Sequence, residues 1–153
     1  MTFRNIAHAV TVATLALACA VVAAPIAGAT GGQYVKTQSG KVQCVVYANY
    51  PGTSPSGTLH VPPGSIAMCE STRDGGFRQA GYSLAVVDSG GNFSFQCCAN
   101  LVGSAPVDFL TMNYGQSYNL NGWTIAASED GTTFTNNATG HGMFVSMENV
   151  YGF

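Results

Sequence analysis

The residues with the widest choice of chemistry are Cys44, Cys69, Cys97 and Cys98, an even set of thiols downstream of a long apolar leader. A thiol can join a disulfide, hold a metal or act as a nucleophile, and spacing separates the three. Metal binding asks for ligands gathered in pairs such as C-x-x-C. None occurs here, and the adjacent Cys97 and Cys98 point to opposite sides of an extended strand. Nucleophilic use asks for a base that takes the thiol proton and a third group that orients the base. Cys98, His141 and either Asp88 or Asp108 supply the residue types. His141, however, lies between Gly140 and Gly142, where a polar ring caps a loop, and Cys98 sits in no catalytic string. In an exported chain the ordinary fate of such thiols is disulfide formation. Several pairings are open. Cys44 with Cys69 is favoured, because the loop between them carries Pro51, Pro55, Pro62 and Pro63 and little apolar surface to tie the flanking strands together. Cys97 is then a buried thiol, and Cys98 is exposed or joined to it.

Other catalytic designs fit less well. A serine hydrolase would show G-x-S-x-G, and the nearest string, GTSPSG, is a proline-containing loop. A glycosidase needs two carboxylates facing each other across a cleft, whereas Glu129 and Asp130 are neighbours in a turn. Tyr114, Tyr118 and Trp123 are the candidate ligand-binding aromatics, a platform for sugar or lipid. The competing use of such rings is to fill a sheet core or its rim with the polar handle satisfied.

These residues need strands to position them. Between Tyr118 and Phe153, Trp123, Ile125 and Ala127 alternate on one side of one run, and Met143, Val145 and Met147 on one side of another. Asp130-Gly131 is the expected positive-φ pair of a tight hairpin, and Gly140-His141-Gly142 the expected bulge or bend. Further strands are expected over residues 41–49, 65–70, 82–88, 92–100 and 107–114, with a hairpin at Ser89-Gly90-Gly91 and a loose lead-in at 30–40, in which Tyr34-Val35 is the stretch able to pair at a sheet edge. A short edge strand is expected near Thr58–Val61. Without an amphipathic helix or an internal repeat, the fold class is all-β: an antiparallel β-sandwich or small barrel of about seven or eight short strands. Tyr151 and Phe153 close the chain as an outer-membrane barrel strand would, but the runs are too short and interrupted for such a barrel.

Charged residues make up 8% of the chain and hydrophobic ones 46%. Seven acidic against five basic residues leave no basic patch for phosphates, which excludes nucleic acid as a partner. Arg4 precedes an uncharged run from Ile6 to Ala24, and Ala27-Gly28-Ala29 fits the small-x-small pattern of signal-peptide cleavage. Residues 1–29 are therefore expected to be a signal peptide and 30–153 a single exported β domain with no transmembrane span. Cys19 lies in that run, but Ala16 stands where a lipobox has Leu.

The strings IAMCE, GFRQA, LAVVDSGGNFSF, YGQSYNLNGWTI and DGTTFTNNATGHGMFVS are similar to those of small secreted mycobacterial proteins of unassigned function. The Cys-bearing early strand and the late DG…ATG run resemble, in pattern, the LpqH-type lipoprotein antigens, from which this chain departs in its poor lipobox and the lack of a terminal Cys. The resemblance implies the exported compartment and a β fold, and it supplies no catalytic residue. The combined expectation is a non-catalytic binding or interaction module, secreted or in the cell envelope, without a cofactor, its partner an envelope lipid, glycan or protein. The alternative is a small secreted enzyme of thiol or hydrolase type using Cys98 and His141. Intact-mass measurement of the exported protein should give a chain beginning at Thr30. A retained Met1, or lipid mass on Cys19, would refute the assigned leader.

Overall fold

Runs rich in Val, Thr and aromatic residues, set between Gly- and Asn-bearing turns, become eleven strands in the computed structural model, which describes residues 31–52, 61–96, 102 and 107–153. The expected leader, Cys19, Cys97, Cys98 and most of the edge strand near Thr58 lie outside the described residues. Six strands, β1 (Gln33–Thr37), β2 (Val42–Tyr50), β3 (Gly64–Ser71), β4 (Leu84–Asp88), β5 (Phe93–Gln96) and β6 (Leu110–Met112), form one sheet in the order β5-β4-β3-β2-β1-β6. Five, β7 (Ser117–Leu120), β8 (Trp123–Ala127), β9 (Thr132–Asn136), β10 (Gly142–Val145) and β11 (Val150–Gly152), form the other in the order β11-β10-β9-β8-β7. The two sheets make a β-sandwich with open edges, not a closed barrel. No helix among the described residues is long and apolar enough to cross a membrane.

The core follows from alternation. Val42, Cys44 and Val46 of β2, Ala67 and Cys69 of β3, and Ala85 and Val87 of β4 face Leu120, Trp123, Ile125, Phe134, Met143 and Val145 of the second sheet in one buried cluster. Phe93 and Phe95 pack against it from β5. Each such large side chain contributes roughly 1.5–3 kcal/mol by leaving water. Phe77, in the turn-rich β3–β4 connection, is also fully buried in this core. The opposite face of the six-stranded sheet is covered as well: Val45, Ile66, Met68, Leu84 and Val86 lie under Val61 and Val102.

Two expectations change. The lead-in is not loose: β1 sits inside the sheet, antiparallel to β2 and parallel to β6, so the sandwich is not wholly antiparallel. The last third holds five strands, because tight turns cut it more often than its hydrophobic pattern suggests. The positive-φ pair is Asn121-Gly122, at φ 49° and 80°, closing the two-residue β7–β8 hairpin. Asp130 has no positive φ among the described residues. Its turn is instead a longer connection held by Ser128 N–H donating to the Gly131 carbonyl at 2.9 Å. At Gly140-His141-Gly142 the chain does bend sharply, with Gly140 N–H donating to Asn136 O at 2.8 Å. A side chain at Gly142 would collide with the Phe134 carbonyl, which explains the glycine there.

Cys44 and Cys69 are joined by a disulfide, directly opposite each other in the β2–β3 register. Pairing runs without a bulge from Val42 with Ser71 to Tyr47 with Ile66, so β3 accommodates its inward cysteine by being buried on both faces. With a sequence separation of 25, the bridge is worth about 3.5 kcal/mol in the chain-entropy model. Cys69→Ser should therefore lower the melting temperature by on the order of 10 °C. Non-reducing peptide mapping that joined Cys44 to Cys97 or Cys98 would contradict the pairing.

Candidate ligand-binding face

The same alternation that drives Trp123, Ile125, Phe134 and Met143 inward points every second residue of the five-stranded sheet outward. Register then aligns these residues into two rows. Ser117, Ala126, Thr133, Phe144 and Tyr151 form one, and Asn119, Thr124, Thr135 and Gly142 the other. Phe153 extends the second row through reciprocal backbone hydrogen bonds with Gly142 at 2.9 and 3.0 Å. None of these residues carries a charge.

The face is aromatic at one side and polar at the other. Phe144 and Tyr151 stack at 5.3 Å between ring centroids, and Tyr151 and Phe153 are 51% and 47% exposed. The Phe144 ring lies over Gly131, where any side chain would collide with it. Across the sheet, Thr124 Oγ1 lies 2.8 Å from Asn119 Oδ1 and 2.6 Å from Asn137 Oδ1. Asn137 also borders a cleft of about 350 Å³ at the end of the sandwich, shared by Ser89, Asn121, Asn136 and Thr139.

Beneath that cleft a hydroxyl links the sheets. Ser65 Oγ accepts from Trp123 Nε1 and Asn136 Nδ2, both at 3.0 Å, and donates to the Tyr47 carbonyl at 3.3 Å, which uses its full bonding capacity. Asn121 Nδ2 adds a second tie, donating to Val46 O at 2.9 Å. On the far side of the first sheet, burial pushes the Tyr47 hydroxyl well above its ordinary pKa, and its 3.3 Å contact with the Tyr34 hydroxyl acts in the same direction.

The candidate aromatics are not brought together as a platform. Trp123 is fully buried, and Tyr118 is buried with its hydroxyl accepting from Asn113 N–H at 2.9 Å. Tyr114 is half-buried and borders a small cavity of about 120 Å³ at the other end, with Lys41, Glu129, Asp130 and Glu148. His141 is exposed, its ring close to Gly91 and its Nδ1 3.3 Å from the Phe153 carbonyl. Asp88 caps its own turn, accepting from Gly90 N–H at 2.8 Å, Asn92 N–H at 3.0 Å and Asn92 Nδ2 at 2.8 Å. Asp108 is exposed beside a separate groove of about 390 Å³ near Tyr34 and Leu110. Among the described residues no three His, Cys, Asp or Glu side chains gather as a metal site.

Phe144 and Tyr151 were legible in principle, since both are out of phase with the inward Met143, Val145 and Val150. What hid them was the turn at 146–149, which separates them in the chain and joins them in the sheet.

Ser65→Ala should destabilise the fold by about 1–3 kcal/mol, because two buried N–H donors lose their shared acceptor. Urea unfolding measures it, and an unchanged midpoint would mean that the Ser65 link is not structural. Comparison with protein-family models, curated proteins and solved structures returned no match.

Proposed function

We propose that the chain is an exported binding module that works without catalysis and meets its ligand, an envelope lipid, glycan or protein, on the outer face of the five-stranded sheet. The observation that carries this reading is the asymmetry of the two sheets. The six-stranded sheet has its outer face covered over β2, β3 and β4, although Leu110 of β6 and nearby Val107 stay exposed, while among the described residues the outer face of the five-stranded sheet is uncharged and uncovered, with Tyr151 and Phe153 among its exposed residues. Large apolar side chains kept in water together are unusual on a surface without a partner. The Cys44–Cys69 disulfide is compatible with an extracellular protein. Secretion through a cleaved leader, and the likeness to secreted mycobacterial proteins, belong to the same reading.

Sedimentation of the purified exported protein with an insoluble envelope fraction tests it. Tyr151→Ala and Phe144→Ala should each reduce the bound fraction at least tenfold, with the circular dichroism spectrum unchanged. Equal sedimentation of the variants would remove the sheet face from the reading. Hydrolysis of an ester, peptide or glycan that is lost in Cys98→Ser or His141→Ala, with the fold intact, would replace the module by a secreted enzyme.

A further inference from the structure

Resting on that reading, we infer that the occupant of the face is a neutral glycan, lying along the polar rows and stacked at one end on Tyr151. Charge is the first argument. The two rows contain no charged side chain, and the charges in the adjoining β8–β9 and β10–β11 turns are the acidic Glu129, Asp130 and Glu148, which outnumber the one cation beside them, Lys41. Such a rim repels phosphate, sulfate and carboxylate groups, so anionic lipid headgroups and acidic polymers are disfavoured.

Hydrogen-bonding capacity is the second. Thr124 Oγ1, with its single proton, donates to only one of the Asn119 and Asn137 carboxamides at a time, and the other polar atoms of the two amides have no protein partner among the described residues. The hydroxyls of Ser117, Thr133 and Thr135 likewise have no protein partner there. A hydroxyl-rich ligand uses this mixture of donors and acceptors in either direction, as water does.

Aromatic geometry is the third. Tyr151 lies on the edge strand, braced by Phe144, which is itself seated on Gly131. A ring held in this way offers a negative π face to the C–H-bearing side of a sugar at little cost in side-chain entropy. The cleft beyond Asn137, lined by uncharged residues, gives a chain end or branch somewhere to go. A lipid surface or a second protein would need apolar anchors in the middle of the face, where Ala126, Thr133 and Thr135 stand instead.

Native gels cast with neutral polysaccharides (glucan, mannan, galactan and xylan) test the inference against alginate gels and flotation with phosphatidylglycerol vesicles. At least one neutral polymer should retard the exported protein, with no effect of alginate and no flotation. Tyr151→Ala should weaken retardation at least tenfold, Thr124→Val several-fold, and Tyr151→Phe should restore most of it, all with unchanged melting temperature. Retardation that survives Tyr151→Ala would overturn the proposed site. Flotation with vesicles, retardation by alginate alone, or no retardation in any neutral gel would overturn the ligand class. Periodate oxidation of the envelope fraction separates the two levels of the proposal. It should abolish sedimentation; if Tyr151→Ala abolishes sedimentation and periodate does not, the face remains the binding surface and the glycan is wrong.

Discussion

A fully buried indole N–H needs an acceptor, and Trp123 finds its acceptor on the other sheet, at Ser65 Oγ. Leaving that donor unpaired would cost about 1–3 kcal/mol, so the second sheet has one preferred seating on the first. Asn136 reaches the same oxygen, and Asn121 bonds the Val46 carbonyl nearby. Apolar packing alone tolerates small slides of one sheet over another. These directional bonds at one end of the sandwich do not, and Ser65, Asn121 and Asn136, which make them, also line the end cleft.

With the seating set, the two sheets divide the work. The six-stranded sheet is stiffened from within, its β2 and β3 joined by Cys44–Cys69 and its outer face lying under Val61 and Val102. Glu70, buried on that outer face, accepts from Val102 N–H at 3.0 Å, so the cover is fastened by a polar contact as well as by packing. The five-stranded sheet needs no such cover, because its outward residues are hydroxyls, amides and three rings at one side. A rigid support behind a flat, bare face is what a recognition surface needs, since little conformational entropy is then lost on binding.

The outward aromatics also explain two glycines. Phe144 occupies the space above Gly131, and Phe153 reaches over Gly142, where a methyl group would come within 3.0 Å of its ring. Packing of this kind holds exposed rings in place and spares them the freedom of ordinary surface side chains.

By itself the sequence determined the all-β class and the inward set Trp123, Ile125, Ala127, Met143, Val145 and Met147, and it favoured the Cys44–Cys69 pairing among those it left open. The first two depend on period-two alternation, a local property of the backbone, and the third on the scarcity of other ties around a proline-rich loop. Strand number was less legible, because Asn121-Gly122 and the turn at 146–149 interrupt runs whose composition stays strand-like throughout. Tertiary structure alone decided what each aromatic does. Tyr118 and Trp123 share with Phe144 and Tyr151 a place in strands of similar composition. Burial separates them, and burial depends on which face meets the other sheet. The rows of the candidate face exist only through the cross-strand register, which sets Ser117 in line with Tyr151 across four hairpins, and no spacing along the chain encodes that neighbourhood.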